Sequence, residues 1–159
     1  MFMNDTLIWL KTMRRPDSDE YFGIMAEVVA TRATCPRRKV GCVLVSVENK
    51  VLATGYNGVP SGFVHCIDEP CEGAKYTTGL GLDKCEAIHA EQNALLQTSD
   101  VKLIDTAYCT TAPCIHCLKL LLNTGCKRIV FNQDYIASEA SRILWEKAGR
   151  IWQHTKLEF

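Results

Sequence analysis

The chain has 159 residues, of which 47% are hydrophobic and 23% are charged, and this favours one globular domain with a sizeable core. Eighteen basic residues balance eighteen acidic ones, which argues against a nucleic-acid partner, because such binders usually carry a basic excess. No apolar run approaches the ~20 residues that cross a bilayer, and the first fifteen residues lack a signal peptide's apolar core. We therefore predict a cytoplasmic protein (the host cytoplasm for a viral chain) with a small-molecule substrate and no membrane partner.

The predicted elements begin with an amphipathic helix over 19–32, followed by a hairpin with strands over 40–45 and 51–56. Residues 55–63 are rich in glycine and predict a loop, which continues as an irregular segment over 64–84. The remaining predicted elements are helices over 88–98, 115–123 and 138–148 and strands over 106–110, 128–131 and 151–152. This alternation after a hairpin predicts an α/β sandwich, a single domain over 1–159 with its core at about 20–152.

His89, Glu91, Cys114 and Cys117 form the most informative pattern in the chain. Two thiolates and one imidazole give Zn²⁺ three protein ligands, and its tetrahedral preference leaves the fourth position for water. Zinc lowers the pKa of a bound water to about 7, which makes a nucleophile available at neutral pH. Separately, a C-x-x-C pair also suits a structural zinc or a redox motif. Together the residues predict a catalytic zinc site with Glu91 transferring protons.

The identity of the substrate is predicted from a resemblance to a known protein family. His89-Ala90-Glu91 followed by Pro113-Cys114-Ile115-His116-Cys117 resembles the signature of zinc-dependent nucleobase deaminases. The segments 35–41, 54–63 and 88–95 closely resemble deoxycytidylate (dCMP) deaminases, and the likeness runs from about Tyr21 to about Ile151. It implies hydrolysis of dCMP to dUMP and ammonia, and a cytidine-deaminase-like three-layer α/β sandwich with a five-stranded mixed sheet packed by helices. It also implies a homohexamer activated by dCTP and inhibited by dTTP, with Mg²⁺ accompanying the nucleoside triphosphate.

The resemblance also implies roles for particular residues. The substrate-binding residues it implies are Asn57, Ala90 and Tyr135. The effector-binding residues it implies are Gly58, Val59, Pro60, Ser61, Gly62 and Phe63, joined by Arg37, Arg38 and Lys39. Glycines let backbone N–H groups approach a phosphate closely, which agrees with this assignment. The alternatives are a tight exit from the hairpin for the loop and a solvated surface for the three basic residues.

Five further possible ligands lie outside the catalytic pattern. A second, structural zinc would hold the irregular segment through Cys35, Cys71, Cys85 and either Cys66 or His65, and the resemblance supports such a site. The alternative is that these cysteines are buried free thiols. Cys42, Cys109 and Cys126 lie in apolar surroundings and are predicted to be ordinary core residues.

Two other functions stay open at this point. One is a nucleic-acid deaminase of the tRNA-adenosine type, against which the neutral net charge argues. The other is a zinc-stapled interaction module without catalysis, against which Glu91 and the absence of a fourth ligand argue.

Overall fold

A computed structural model describes residues 14–77 and 79–156 of the chain. Within these two ranges, its four α-helices are α1 (Ser18–Ala30), α2 (Ala90–Gln97), α3 (Ile115–Leu122) and α4 (Ser138–Lys147). Its five strands are β1 (Gly41–Ser46), β2 (Val51–Tyr56), β3 (Ile104–Thr111), β4 (Arg128–Gln133) and β5 (Ile151–His154). Short 3₁₀ helices lie at Glu72–Lys75, Leu82–Lys84 and Val101–Leu103.

The strands form one mixed sheet in the order β2-β1-β3-β4-β5. Strand β1 pairs antiparallel with both β2 and β3, whereas the β3–β4 and β4–β5 pairs are parallel. Helices α3 and α4 supply the crossovers that parallel pairing requires. Because β3 and β4 are parallel, their carboxyl ends lie at the same edge of the sheet, where β1 begins.

Two hydrophobic cores lie on opposite faces of this sheet. Side chains alternate along each strand, so Val43 and Tyr108 face α1 while Cys42 and Cys109 face the other helices. The larger core includes Ala90 and Ala94 of α2, Leu118 and Leu121 of α3 and Trp145 of α4. The molecule therefore has three layers, and the predicted fold class is confirmed.

Helix α1 is held on its face of the sheet by polar contacts as well as by packing. Asp17 caps its N-terminus by accepting a hydrogen bond from the Glu20 amide at 2.9 Å. Tyr108 Oη of β3 donates to Asp19 Oδ1 at 2.8 Å, and Arg128 of β4 forms an ion pair with the same carboxylate. The contacts of Asp19 with Tyr108 and Arg128 hold α1 against strands β3 and β4.

Several helices and strands begin or end at residues other than those predicted from the sequence. Helix α1 ends at Ala30 rather than at 32, well before Pro36, and β5 continues to His154. Strand β2 has the predicted bounds. Residues 1–13, 78 and 157–159, which the predicted single domain includes, lie outside the described residues. Within the described ranges, no helix is long and apolar enough to cross a membrane.

Candidate metal centre and active site

His89 is the N-cap residue of α2, and the chain around it is held in place from two sides. Its backbone N–H donates to Gln92 Oε1 at 2.9 Å, which fixes the start of the helix. The preceding residue, Ile88, forms an isolated antiparallel bridge with Gly58, with N–H···O distances of 2.8 and 3.1 Å. The imidazole position is therefore set by both the helix start and the glycine-rich loop.

Cys114 and Cys117 come from the start of α3, immediately after β3. Cys114 is the N-cap residue, and Cys117, one turn later, is fully buried. Pro113 precedes the cap and is also fully buried, so the link between β3 and α3 is short and rigid. Three residues apart at a helix start, the two sulfurs face the same side.

The three ligand atoms converge as the sequence predicts. The Nδ1 atom of His89 lies 3.5 Å from Cys114 Sγ and 3.4 Å from Cys117 Sγ. Ordinary Zn–N and Zn–S bonds in a tetrahedral site place such atoms about 3.6 Å apart. Among the described residues, this is the one group of three or more possible ligands whose atoms all lie within 4.8 Å of one another. The residues therefore fit a zinc ion held by three protein bonds.

The two thiols differ in their acidity. Hydrogen bonding from Cys117 lowers the pKa of Cys114 to about 3, and contact with His89 acts in the same direction. The pKa of Cys117 is raised, first by its hydrogen bond to Cys114 and then by burial. The pKa of His89 is raised by its hydrogen bond with Cys114. The cluster thus readily supplies one thiolate, and a bound cation favours the second.

Glu91 is an ionisable side chain with almost no access to solvent. It lies in the first turn of α2, its residue is 4% exposed, and burial raises the pKa of its carboxyl group. The carboxyl group contacts the Cys117 thiol and does not belong to the three-ligand group. A carboxyl group of raised pKa beside a metal site is suited to accept and then return a proton.

Comparison with known proteins agrees with this geometry. The family model described as "Cytidine and deoxycytidylate deaminase zinc-binding region" matches residues 16–133. The chain belongs to this family.

Individual proteins and solved structures are also similar to this chain. The deoxycytidylate deaminase of Mycobacterium phage D29 is 40% identical over 77% of this chain and 99% of its own. That of Schizosaccharomyces pombe is 39% identical over 85% of this chain and 43% of its own, so the chain spans less than half of that relative. A crystal structure of the dCMP deaminase of cyanophage S-TIM5, in complex with dCMP and dUMP, has a TM-score of 0.72 and 29% identity, covering 90% of this chain and 100% of that one.

The three substrate-binding residues predicted from the family have different surroundings. Ala90 is buried between His89 and Glu91 in the first turn of α2. Tyr135 is half-buried and packs against the larger core beyond the end of β4. The Asn57 side chain accepts from the Val40 amide at 2.8 Å and donates to the Arg38 carbonyl at 2.9 Å, so it also orders the chain before β1.

The glycine-rich loop lines a cavity of about 340 Å³. Its predicted members Gly58, Val59, Pro60, Ser61, Gly62 and Phe63 are joined there by Thr34, Tyr56, His65, Asn93 and Gln97. Of these five, only His65 was assigned a possible role from the sequence. The Thr34 hydroxyl is buried without a hydrogen-bond partner among the described residues. Asn93 and Gln97 are one turn apart on α2, a spacing that could have signalled a shared polar face.

The three basic residues predicted to join this loop in effector binding make other contacts. The Arg37 guanidinium donates to the carbonyls of Tyr76 and Leu80, each at 3.1 Å. The Arg38 guanidinium lies 5.3 Å from the centre of the Tyr135 ring. Lys39 is exposed. None of the three lines the cavity.

The remaining cysteines gather around the irregular segment without forming a compact ligand group. The Cys71 backbone N–H donates to Cys66 Sγ at 3.2 Å, and both residues are buried, as is Cys35. Hydrogen bonds from the Glu86 amide and the Cys66 thiol lower the pKa of Cys71 against the opposing effect of burial, which is the largest influence. Cys85 adjoins Gly73, whose hypothetical Cβ would lie 2.7 Å from the Cys85 Cα. His65 is exposed and lines the cavity instead.

Proposed function

We propose that this protein is a zinc-dependent hydrolase that converts dCMP to dUMP and ammonia. The observation that carries the proposal is the convergence of His89, Cys114 and Cys117 with the buried carboxyl group of Glu91 beside them. Three protein ligands leave one position of a tetrahedral zinc for a reactant, whereas a structural site is normally closed by a fourth ligand. Membership of the family supports the same reaction class.

A zinc ion held by His89, Cys114 and Cys117 would act as a Lewis acid and lower the pKa of a water molecule at the site. Glu91 accepts the proton of the attacking water as the C–O bond forms at the ring carbon that carries the amine. The same carboxyl group passes this proton to the ring nitrogen, then takes the proton of the hydroxyl group now bound to the ring carbon and delivers it to the departing amine. The C–N bond breaks as the C=O bond forms, and ammonia is released. Its burial keeps bulk water away from these transfers.

Two observations support dCMP as the substrate. The phage D29 relative is named a deoxycytidylate deaminase, and the cyanophage S-TIM5 enzyme has a structure with dCMP and dUMP. The predicted substrate-binding residues Ala90 and Tyr135 pack against one core, on the face of the sheet that carries α2 and α3. We assign Asn57, Ala90 and Tyr135 to the nucleotide-binding pocket around the zinc.

The reaction is tested by measuring ammonia release from dCMP, CMP, deoxycytidine and an adenosine-containing tRNA stem-loop. We expect turnover of dCMP in preference to the other three. Release from the RNA but not from dCMP would instead indicate a nucleic-acid deaminase. Zinc binding without ammonia release from any of them would indicate an interaction module.

We further propose that dCTP and dTTP, with Mg²⁺, bind in the cavity lined by residues 58–63. Backbone N–H groups in a glycine-rich loop can approach phosphate oxygens, and His65 adds a side chain that can donate to them. The bridge between Gly58 and Ile88 connects this loop directly to the residue before the zinc ligand His89.

The test of effector binding is the dCMP saturation curve with and without each triphosphate. We expect His65→Ala to weaken the response to both effectors and to leave turnover without them unchanged.

A second, structural zinc bound by Cys35, Cys66, Cys71 and Cys85 is also proposed. The amide hydrogen bonds received by the Cys71 sulfur, together with the proximity of Cys66, support it, and the position of His65 on the cavity favours Cys66 as the fourth ligand. Elemental analysis should find two zinc ions per chain, falling to one in Cys66→Ser and staying at two in His65→Ala. One zinc per chain in the unaltered protein would exclude the site.

The family resemblance supports a homohexamer in the cytoplasm. Light scattering at micromolar concentration measures the assembly directly, and a mass near six chains is expected. A monomer in the presence and absence of dCTP would contradict this assembly.

A further inference from the structure

Three hydroxyl groups are buried without a hydrogen-bond partner among the residues that the structure describes. They belong to Thr34, Thr111 and Ser141. Thr34 lines the cavity of the glycine-rich loop, and Ser141 lies within α4. Thr111 is the last residue of β3, three positions before the proposed zinc ligand Cys114, and is 5% exposed. A buried hydroxyl without a partner costs free energy, so one kept beside a proposed active site points to a ligand as the missing partner.

The Thr111 side chain lies on the face of the sheet that carries the proposed zinc ligands. Side chains two apart on a strand share a face, and Cys109 packs in the core that contains Ala90, the residue before Glu91. The pKa of the Cys109 thiol is raised by its hydrogen bond to Cys42, by burial and by the nearby charge of Glu91. Thr111 therefore lies one step beyond a neighbour of Glu91, toward the edge of the sheet where α3 begins.

The main chain around Thr111 is fixed, so its hydroxyl group cannot reach a partner by a shift of the strand. Thr111 pairs with Gln133 of β4, and the Ala112 amide donates to the Gln133 carbonyl at 2.8 Å. Pro113, which follows, is fully buried. When the register of β1 on β3 is continued, Val40 lies opposite Thr111, and its side chain has no polar atom. A bound molecule is therefore the natural source of the missing partner.

The preceding residue, Thr110, provides an internal comparison. Its side chain points to the opposite face of the sheet, and its hydroxyl group accepts a hydrogen bond from the Gly41 amide at 3.1 Å. Thr110 is 2% exposed, so the two threonines have the same size and nearly the same burial. They differ in that the Thr110 hydroxyl group has a partner within the chain. Thr110 is therefore the matched control for changes at Thr111.

We propose that the Thr111 hydroxyl group forms a hydrogen bond with the pyrimidine ring of the substrate and helps to hold that ring at the zinc site. The proposal rests on the proposed deaminase function. The ring must lie beside Glu91 to exchange protons with it, and Thr111 lies near Glu91 on the same face of the sheet. A pyrimidine nucleotide carries several polar ring atoms, and a hydroxyl group can donate to or accept from them. The hydroxyl group is then unsatisfied only in the free protein.

The stability of the free protein provides the first test. Thr111→Val removes the hydroxyl group and nearly keeps the shape of the side chain, so its urea midpoint should rise, because a buried group without a partner is lost. Thr110→Val should lower the midpoint, because the Gly41 amide loses its acceptor. A fall in Thr111→Val as large as that in Thr110→Val would show that the Thr111 hydroxyl group is satisfied within the free protein, and would overturn the proposal.

Calorimetric binding of the product dUMP provides the second test. Thr111→Val should weaken dUMP binding by roughly 5- to 100-fold, because a polar atom of the bound ring loses its partner. Thr111→Ser keeps the hydroxyl group and should retain most of the affinity, and Thr110→Val should bind dUMP as the unaltered protein does. An unchanged affinity in Thr111→Val would overturn the proposal, since a purely structural hydroxyl group would alter stability alone.

Kinetics assign the contact to the ring. In Thr111→Val, kcat/KM should fall by the same factor for dCMP and for deoxycytidine, because the two share the ring and differ in the phosphate. A loss confined to dCMP would place the contact on the phosphate and overturn the assignment. Failure of the unaltered protein to deaminate dCMP, while dUMP binding still depends on Thr111, would instead refute the proposed reaction alone.

Discussion

Single residues determine how closely the helices approach the sheet around the zinc site. Gly55 in β2 is the clearest case, because a Cβ atom there would lie 2.2 Å from the Ala90 carbonyl oxygen and 2.3 Å from the Ala94 amide nitrogen. Both atoms belong to the backbone of α2, which cannot move away as a flexible side chain could. Because Gly55 has no side chain, α2, which is capped by His89 and carries Glu91, can pack directly on β2.

Substitution of Gly55 by Ala should damage both stability and metal binding. Forcing α2 away from β2 is expected to lower the free energy of unfolding by about 1–3 kcal/mol, as overpacking typically does. It should also lower zinc occupancy, because His89 moves with the helix. Urea denaturation and elemental analysis measure the two effects.

Gly62→Ala is the matched control for this change. Gly62 has a φ of 87°, but nothing lies within 4 Å of its hypothetical Cβ. The left-handed backbone should cost about 1–2 kcal/mol without displacing any helix. Zinc occupancy should stay complete in this variant, and an equal loss of zinc in both variants would show that the packing of α2 on Gly55 is not responsible.

At the scale of elements, α3 is fixed at both ends. The start of α3 carries two of the proposed zinc ligands, and its C-terminal end is held by a side chain from the loop before β5. Arg150 donates to the carbonyls of Leu121 (3.1 Å), Leu122 (2.8 Å) and Cys126 (2.7 Å), and its guanidinium lies 4.9 Å from the centre of the Trp145 ring. Carbonyls at a helix end lack their usual partner within the helix, and Arg150 donates to that of Leu122 and shares that of Leu121 with Thr124.

Replacing Arg150 by Ala should therefore destabilise the fold by about 1–3 kcal/mol, because partly buried carbonyls lose their donors. Arg142→Ala removes an arginine whose ion pairs with Glu139 and Glu146 are exposed, and it should leave the midpoint of urea denaturation nearly unchanged. Similar midpoints for the two variants would contradict the capping role of Arg150.

Most of the element pattern follows from the sequence because it depends on local periodicity. An apolar run, a turn and a second strand predicted the hairpin, with the bounds of β2 as observed. The cluster of His89, Cys114 and Cys117 was predictable because each residue lies at a helix start within its own motif. Strand β5 was predicted two residues too short, because its parallel pairing with β4 is not visible in a local pattern. The contact of Arg38 with Tyr135 depends on the strand order, which brings together residues about a hundred positions apart.

At the scale of the whole molecule, the zinc site joins two helices that pack on one face of the sheet. His89 belongs to the start of α2 and the two cysteines to the start of α3, so a bound ion links segments that are otherwise connected through the core. A ligand that binds only the folded state stabilises that state. The free energy of stabilisation grows with the logarithm of the ligand concentration divided by the Kd.

Removal of the metal should therefore lower the thermal midpoint. For a site filled at 1,000 times its Kd the loss is about 4 kcal/mol, or roughly 8–16 °C for a chain of this size. Differential scanning calorimetry of chelator-treated protein measures this shift. Added Zn²⁺ should restore the midpoint and added Mg²⁺ should not, because the ligand set is of nitrogen and sulfur. An unchanged midpoint after complete removal of zinc would contradict a linking role.

The role proposed for Glu91 is proton transfer at a zinc site formed by other residues. The most direct measurement is ammonia release from dCMP by Glu91→Gln, with zinc content and dUMP affinity determined on the same sample. The amide has nearly the same shape but accepts no proton, so zinc and dUMP should bind as before while turnover falls by roughly 10²- to 10⁴-fold or more. Turnover close to that of the unaltered protein, in a variant that retains its zinc, would contradict the account.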